Sequence, residues 1–400
     1  MQTGYSIHAT ADACALTVLL ASFLMTCSPP PAALITWEKT FGGSSFERAY
    51  AIEQTRDSGY IIAGQTSSFG AGGYDFYIIK ADELGNRAWE KTFGGSSSEL
   101  PRSIRQTSDG GYIIAGRSSS FKTGYCDFYI IRLDQDGTKT WEKVYGGDTW
   151  DDPFSIQQTD DGGYIVAGYT DSIGYGGNDA YVIRIDSSGG MLWNRTYGGT
   201  GNDSATSIQQ TADGGYIVAG HTESSGAGSS DAYVLKLDSN GTAVWEQTYG
   251  GTGYDSAEMI RQTADEGYVF AGYTDSSGAG GTDMLVVRID AVGAVLWERT
   301  YGGLNDDQAK AVQQTGDGNY VLCGYIGSAD FTDMYLAKLG NDGDILWERT
   351  YGGTYDDAAY DIRQTRDGGY VIAGYTHPPD ASASYDDDMY ILKLNRQGTL

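Results

Sequence analysis

Trp193-Asn-Arg-Thr-Tyr-Gly-Gly199, Thr200-Gly-Asn-Asp-Ser-Ala-Thr-Ser-Ile-Gln-Gln-Thr211 and Ala212-Asp-Gly-Gly-Tyr-Ile-Val-Ala-Gly220 follow one another through the middle of the chain. The pattern recurs on either side. A tryptophan opens each unit, at Trp37, Trp89, Trp141, Trp193, Trp245, Trp297 and Trp347, with a spacing of 52 residues five times and then 50. Within the quoted unit four short runs rich in β-branched and aromatic residues predict strands over Thr206–Thr211, Tyr216–Thr222, Ala232–Asp238 and Val244–Tyr249. Asp213-Gly214 joins the first two and Ser239-Asn240-Gly241 the last two. Both are hairpin signals, because Gly and Asn tolerate positive φ. No stretch sustains a 3.6-residue apolar period, so helix is not expected.

Seven four-stranded antiparallel units of about fifty residues fit an all-β, seven-bladed β-propeller, in which neighbouring blades cover both faces of each sheet. A linear β-solenoid is the competing architecture, but its repeats are usually shorter. The chain stops at Gly398-Thr399-Leu400, just before another Trp strand is due, and an unmatched Trp strand stands at Leu34–Phe41. Pairing that strand as the outer strand of the last blade would close the ring and cover its edge. The organisation expected is a signal peptide over 1–27, a short Pro-rich linker over 28–33, and a single propeller over 34–400.

The 58 Gly among 400 residues are roughly double the usual share, without the Gly-X-Y period of collagen. They belong to the turns of the repeat. The 26 basic and 53 acidic residues give a net charge of −27, which disfavours nucleic acid and anionic lipid as partners. Residues 15–25 form the one long apolar run, of signal-peptide length and too short to span a bilayer. It ends at Leu24-Met25-Thr26-Cys27 before Ser28-Pro29-Pro30-Pro31. A lipoprotein-like signal with Cys27 as lipid anchor is one reading, and Thr26 and the absence of Lys or Arg in residues 1–14 speak against it. An exported monomer, extracellular or at the cell surface, is expected. Cys126 and Cys323 occupy non-equivalent repeat positions, so no disulfide framework is indicated.

The units resemble those of secreted or surface-tethered bacterial and archaeal β-propeller repeat proteins of kelch-like architecture. The motifs that carry the resemblance are Asp-Gly-Gly-Tyr-Ile-Val-Ala-Gly and Trp-x-x-Thr-Tyr-Gly-Gly, as at Asp161–Gly168 and Trp347–Gly353. The resemblance covers residues 34–400. It implies a propeller and supplies no catalytic motif to map onto this chain.

In a propeller of this strand order the tight turns fall on one face. The longer Gly-Gly crossings and Ser/Gly-rich loops fall on the other, where ligands are expected. On that face each repeat sets a carboxylate four residues after the double Gly: Glu47, Glu99, Asp151, Asp203, Asp255, Asp307 and Asp357. A second set, Asp75, Asp127, Asp179, Asp231, Asp283, Asp333 and Asp388, opens the third strand. The first set could form a ring of hard oxygen ligands for Ca²⁺. Alternatively, each carboxylate caps backbone N–H groups of its own turn. The recurring Trp and Tyr residues are expected between blades.

Positions that differ between repeats are more informative. One residue before the first carboxylate, Phe46, Trp150 and Tyr254 place aromatics on the long-loop face, equipped to stack on sugar rings. The loop from the Gly ending strand two to the Asp opening strand three spans 11 positions in five units, 9 from Gly324 to Asp333 and 14 from Gly374 to Asp388. No nucleophile elbow, Cys/His pair or phosphate loop is present. The expected function is therefore a non-catalytic binding or scaffold module for carbohydrate or another surface protein. A glycoside-hydrolase-type enzyme using paired carboxylates at the mouth is the alternative.

Overall fold

The computed structural model describes residues 35–121, 124–377 and 386–400. The apolar run 15–25, Cys27 and most of the long seventh-unit loop lie outside the described residues. The structure is a seven-bladed propeller of four-stranded antiparallel sheets. In the fourth blade the strands are Asp203–Gln210, Tyr216–Thr222, Asp231–Leu237 and Ala243–Tyr249, paired in chain order from the axis outward. The seventh blade takes Ala358–Gln364, Tyr370–Thr376 and Asp388–Leu394 from the end of the chain. Its outer strand is Trp37–Phe41, in a register running from Trp37 opposite Lys393 to Phe41 opposite Met389.

The second strand of the quoted unit is as expected, whereas the inner strand starts three residues before its expected Thr206. Asp203 itself pairs with Thr222, and a bulge between Ala205 and Ser207 absorbs one residue. The same bulge interrupts the inner strand of every blade.

Each hydrophobic cluster lies between two blades. Ile165 and Val182 of blade three, for example, meet Val218 and Leu235 of blade four. Middle strands are buried along nearly their whole length, and outer strands are largely exposed. The outer-strand Trp of one blade meets the Tyr opening the second strand of the next in all seven junctions. Ring centroids stand 5.4–6.2 Å apart at 63–75°. This edge-to-face geometry adds to the area buried. The Asn-Gly turn fits beneath the same ring: Gly241 has φ +78°, and a Cβ there would lie 2.8 Å from the Trp193 ring.

Two polar stitches repeat around the circle. The last Gln of each inner strand accepts the N–H of a turn residue in an adjacent blade at 2.7–3.0 Å. Among these, Gln54 accepts from Arg366 across the point of closure. The Asp of each tight turn also pairs with a nearly buried Lys or Arg on the third strand, as in Asp213–Lys236 at 2.9 Å and Asp367–Lys393 at 2.8 Å.

Removal of residues 35–41 takes away Trp37, Phe41 and the ladder to Met389–Lys393 together. Its melting temperature should fall further than that of Trp37→Ala, which costs about 2–3 kcal/mol as a partly buried aromatic. Thermal denaturation of both variants checks this, and a normal melt for the deletion would refute closure by this strand.

A second expectation concerns acid. Partial burial works to raise the Asp213 carboxyl, but the Thr211 hydroxyl, the Lys236 ammonium and the Gly215 N–H together hold it down at about 2. Because the folded value lies below the unfolded one, this pair's contribution is complete above the ordinary carboxylate range. It is lost as pH falls toward 2. Asp213→Asn should lose about 1 kcal/mol at pH 7, discounted for the exposed carboxylate. The gap to wild type should shrink steadily in melts taken between pH 5 and pH 2.

Candidate functional site

The bulge in each inner strand leaves one residue without a cross-strand partner. These residues are Tyr50, Arg102, Phe154, Thr206, Glu258, Lys310 and Tyr360. A bulge re-aims a side chain, and here all seven line a chamber of about 280 Å³ on the axis, toward the long-loop face. Every one of them is half-buried. His221 and Tyr273, from the second strands, line the same chamber. Burial holds His221 below the usual imidazole range, which favours its neutral form.

Two cations of the chamber, Arg102 and Lys310, stand against aromatic rings. Arg102 lies 5.1 Å from the Phe154 ring centre and 5.8 Å from that of Tyr50, which packs on Tyr360 at 5.1 Å. Lys310 stands 5.5 Å from Tyr273 and 5.9 Å from Tyr325. The acids near the chamber are matched with cations: Glu258 with Lys310 at 3.8 Å, Asp361 with Arg363 at 3.3 Å, and Asp152 with Arg102 and Arg117 at 3.3 and 3.1 Å.

The rim aromatics expected from the sequence sit above this ring. Trp150 is 42% exposed, stacks on Tyr125 at 6.4 Å and has the Arg117 guanidinium 5.9 Å from its centre. Half-buried Tyr254 stacks on Tyr273 at 5.9 Å and contacts His221 at the same distance. Half-buried Phe46 packs on Tyr74, with Arg48 4.6 Å from its centre. Arg48 in turn pairs with Asp387 at 2.6 Å, at the described end of the seventh-unit loop, where His377 also meets Asp387 at 3.3 Å. Trp150 and Tyr254 thus connect to the chamber wall, and Phe46 connects to the seventh-unit loop.

Sequence reasoning missed the bulged residues and the second-strand residues behind them. Their signal is divergence: three residues after the carboxylate the seven units offer Tyr, Arg, Phe, Thr, Glu, Lys and Tyr. The residue just before this position is always Ala or Pro, and the one two places after it is Ile or Val.

Similarity to known proteins agrees with this architecture. The pattern of a β-propeller family described as a domain of unknown function, DUF5122, matches residues 211–243. The chain is a β-propeller repeat protein. Regulatory protein FlaEY of Caulobacter vibrioides is 28% identical over 148 residues, a stretch amounting to 32% of this chain and only 15% of that protein. Among solved structures, the Neurospora crassa Pan2 WD40 domain aligns with a TM-score of 0.50 at 11% identity, over 90% of this chain and 100% of its own. A COPII outer-coat vertex chain aligns at 0.52 and 8% identity, over 87% and 84%. BBS1N, solved in complex with ARL6DN, aligns at 0.50 and 10% identity, over 91% and 98%. At these identities the likeness is one of fold.

The seven repeated carboxylates occupy a different layer from the chamber. Glu47, Glu99, Asp151, Asp203, Asp255, Asp307 and Asp357 are fully buried. Each accepts the N–H of the second Gly of its own Gly-Gly crossing at 2.6–2.8 Å. Asp203 also accepts from Ser224 at 2.7 Å and from the Thr222 hydroxyl. In the second set, Asp75 and Asp179 accept the N–H groups of Ala71 and Tyr175 in their own loops. Burial raises the carboxyls of Asp307 and Asp357. Among the described residues no three His, Cys, Asp or Glu side chains meet in a way that could hold a metal ion. Asp203→Ala should therefore lower stability by about 1–3 kcal/mol, the cost of orphaned buried donors, equally with Ca²⁺ and with chelator. A Ca²⁺-dependent rise in the wild-type melt that Asp203→Ala abolishes would place a cation there instead.

Proposed function

We propose that this chain is an exported or cell-surface, non-catalytic binding module whose long-loop mouth takes a carbohydrate. The observation that carries the reading is the ring of bulged residues. The scaffold repeats seven times, and the one side chain per blade freed from pairing differs around the circle. Tyr50, Phe154, Tyr273 and Tyr360 offer apolar ring faces for a sugar. Arg102, Lys310, Glu258 and His221 offer donors and acceptors for its hydroxyls. Trp150 extends the apolar surface to the rim. The non-catalytic part of the reading is supported by the ion pairs that engage Glu258, Asp361 and Asp152, since glycoside hydrolysis needs one carboxyl free to donate a proton. Export is supported by the apolar run 15–25, and tethering by Cys27.

A protein ligand is the second reading. It draws on the propeller of like fold that is solved in complex with another protein. A glycan array and a hydrolysis screen on the full chain separate the possibilities. Binding of an oligosaccharide without turnover is expected. Trp150→Ala and Phe154→Ala should each weaken it about tenfold, or about 1.4 kcal/mol, with melting temperature as the folding control. Turnover abolished by replacing Glu258 would overturn the non-catalytic reading, and an array without hits would remove the carbohydrate.

A further inference from the structure

Below the aromatic chamber the axis carries a second, differently built layer. Three residues past the bulge, the seven inner strands read Glu53, Arg105, Gln157, Gln209, Arg261, Gln313 and Arg363. Four of these side chains hold the ring together. Glu53, Gln157, Gln209 and Gln313 each accept the backbone N–H of the last Gln of the next inner strand, at 2.7–3.0 Å. Arginine has no acceptor and cannot make this bond. At blades two, five and seven the scaffold therefore forgoes a link that the other four blades keep.

The three arginines are distributed around the circle as evenly as three residues can be on seven positions, at steps of three, two and two blades. Arg105 and Arg261 line both the upper chamber and the lower one, about 400 Å³ in volume, so they stand at the waist where the two meet. Arg363 lines the lower side. All three are half-buried along the axis. Burial and the nearby Arg363 charge push Arg105 down to about 10, and burial with Arg363 and Arg105 acts the same way on Arg261.

Their donors are poorly used. Arg105 gives one hydrogen bond, to the Ile104 carbonyl. Arg261 reaches the Ile260 carbonyl and, at 3.4 Å, the Ser207 hydroxyl. Arg363 reaches Asp361 at 3.3 Å, while its buried Nε has no partner. Of the two nearby carboxylates, Glu53 holds the Gln106 N–H, and Asp361 accepts from Ile52 and Arg363 through Oδ2 while its buried Oδ1 has no hydrogen-bond partner. In a chain of net charge −27, guanidinium groups outnumber carboxylates at this one enclosed point.

We propose that the waist is an oxyanion-binding site, in which Arg105, Arg261 and Arg363 converge on the oxygens of a carboxylate, sulfate or phosphate group. Planar guanidinium forks match such groups, and their unused donors would be satisfied by them. The upper chamber leaves room for whatever carries the group. The site does not depend on the carbohydrate reading, because the anion alone would seat there.

The sister blades supply a variant that preserves the scaffold. R105Q, R261Q and R363Q install the side chain that blades three, four and six use for the inter-blade bond. Without anion the triple variant should melt at or above the wild type. Titration of the full chain with inorganic phosphate, sulfate and glucuronate, by calorimetry and by thermal shift, should give saturable binding over a sodium chloride control of equal ionic strength. Each single change should weaken it about tenfold, and the triple variant should abolish it. Tighter binding of an oligouronide than of phosphate would identify an acidic sugar as the source, and the reverse a free anion. Absence of binding by all of these probes, or an unaltered response in the triple variant, would overturn the proposal. Trp150→Ala separates this result from the sugar reading, since it should leave phosphate binding unchanged.

Discussion

No blade of this protein has a core of its own. Each sheet is apolar on both faces, and its apolar area is removed from water only against the next sheet, under a Trp–Tyr edge contact repeated at seven junctions. Stability is therefore a property of the ring. A missing blade or an open edge would expose apolar faces on both sides of the gap. The pairing of Trp37–Phe41 with Met389–Lys393 and the bond from Arg366 to Gln54 complete the circle. The buried thiols Cys126 and Cys323 are free.

That dependence explains where the chain has freedom to vary. Trp, Tyr, the capping carboxylate, the Asp of the tight turn and the terminal Gln of the inner strand each serve a junction, so changing one weakens the ring. The bulged residue has no such fixed duty: Arg102 meets Asp152, Glu258 meets Lys310 and Tyr50 meets Tyr360 across junctions, each by a different contact. It has no cross-strand partner, and it turns toward the axis, where side chains of different type are accommodated. The second position with freedom lies three residues further on, and there the scaffold role is given up where Arg replaces Gln or Glu. The charge follows the same division. The acidic excess that dominates the composition is spent in part on turns and crossings, and basic residues line the axis.

The architecture was legible because its determinants are local and periodic. Trp spacing counted the blades, Asp-Gly and Asn-Gly placed the hairpins, and the extra Leu34–Phe41 segment anticipated closure. The inner strand was read too short because Asp203 resembles a loop residue, while in the fold it pairs with Thr222 and caps the Gly-Gly crossing at once. The chamber was harder to see. Its members lie about fifty residues apart, they share no residue type, and they meet only because a bulge turns each toward the axis. Phe46, Trp150 and Tyr254 drew notice because aromatics stand out against Ser, Asn and Asp at the same repeat position. Arg105, Arg261 and Arg363 did not stand out, since a lone Arg beside Gln on a strand reads as a solvated face.

The closing strand also sets an order of events. Trp37 leaves the ribosome long before Lys393, its partner across the ladder, so an edge strand with two aromatic side chains must wait while six blades assemble behind it. Contacts this distant in sequence slow the last step of folding and leave strand edges open to mispairing in the meantime. The ring is thus a one-dimensional array while it is being made. Only at its final strand does it become a closed object, with an axis and an enclosed waist.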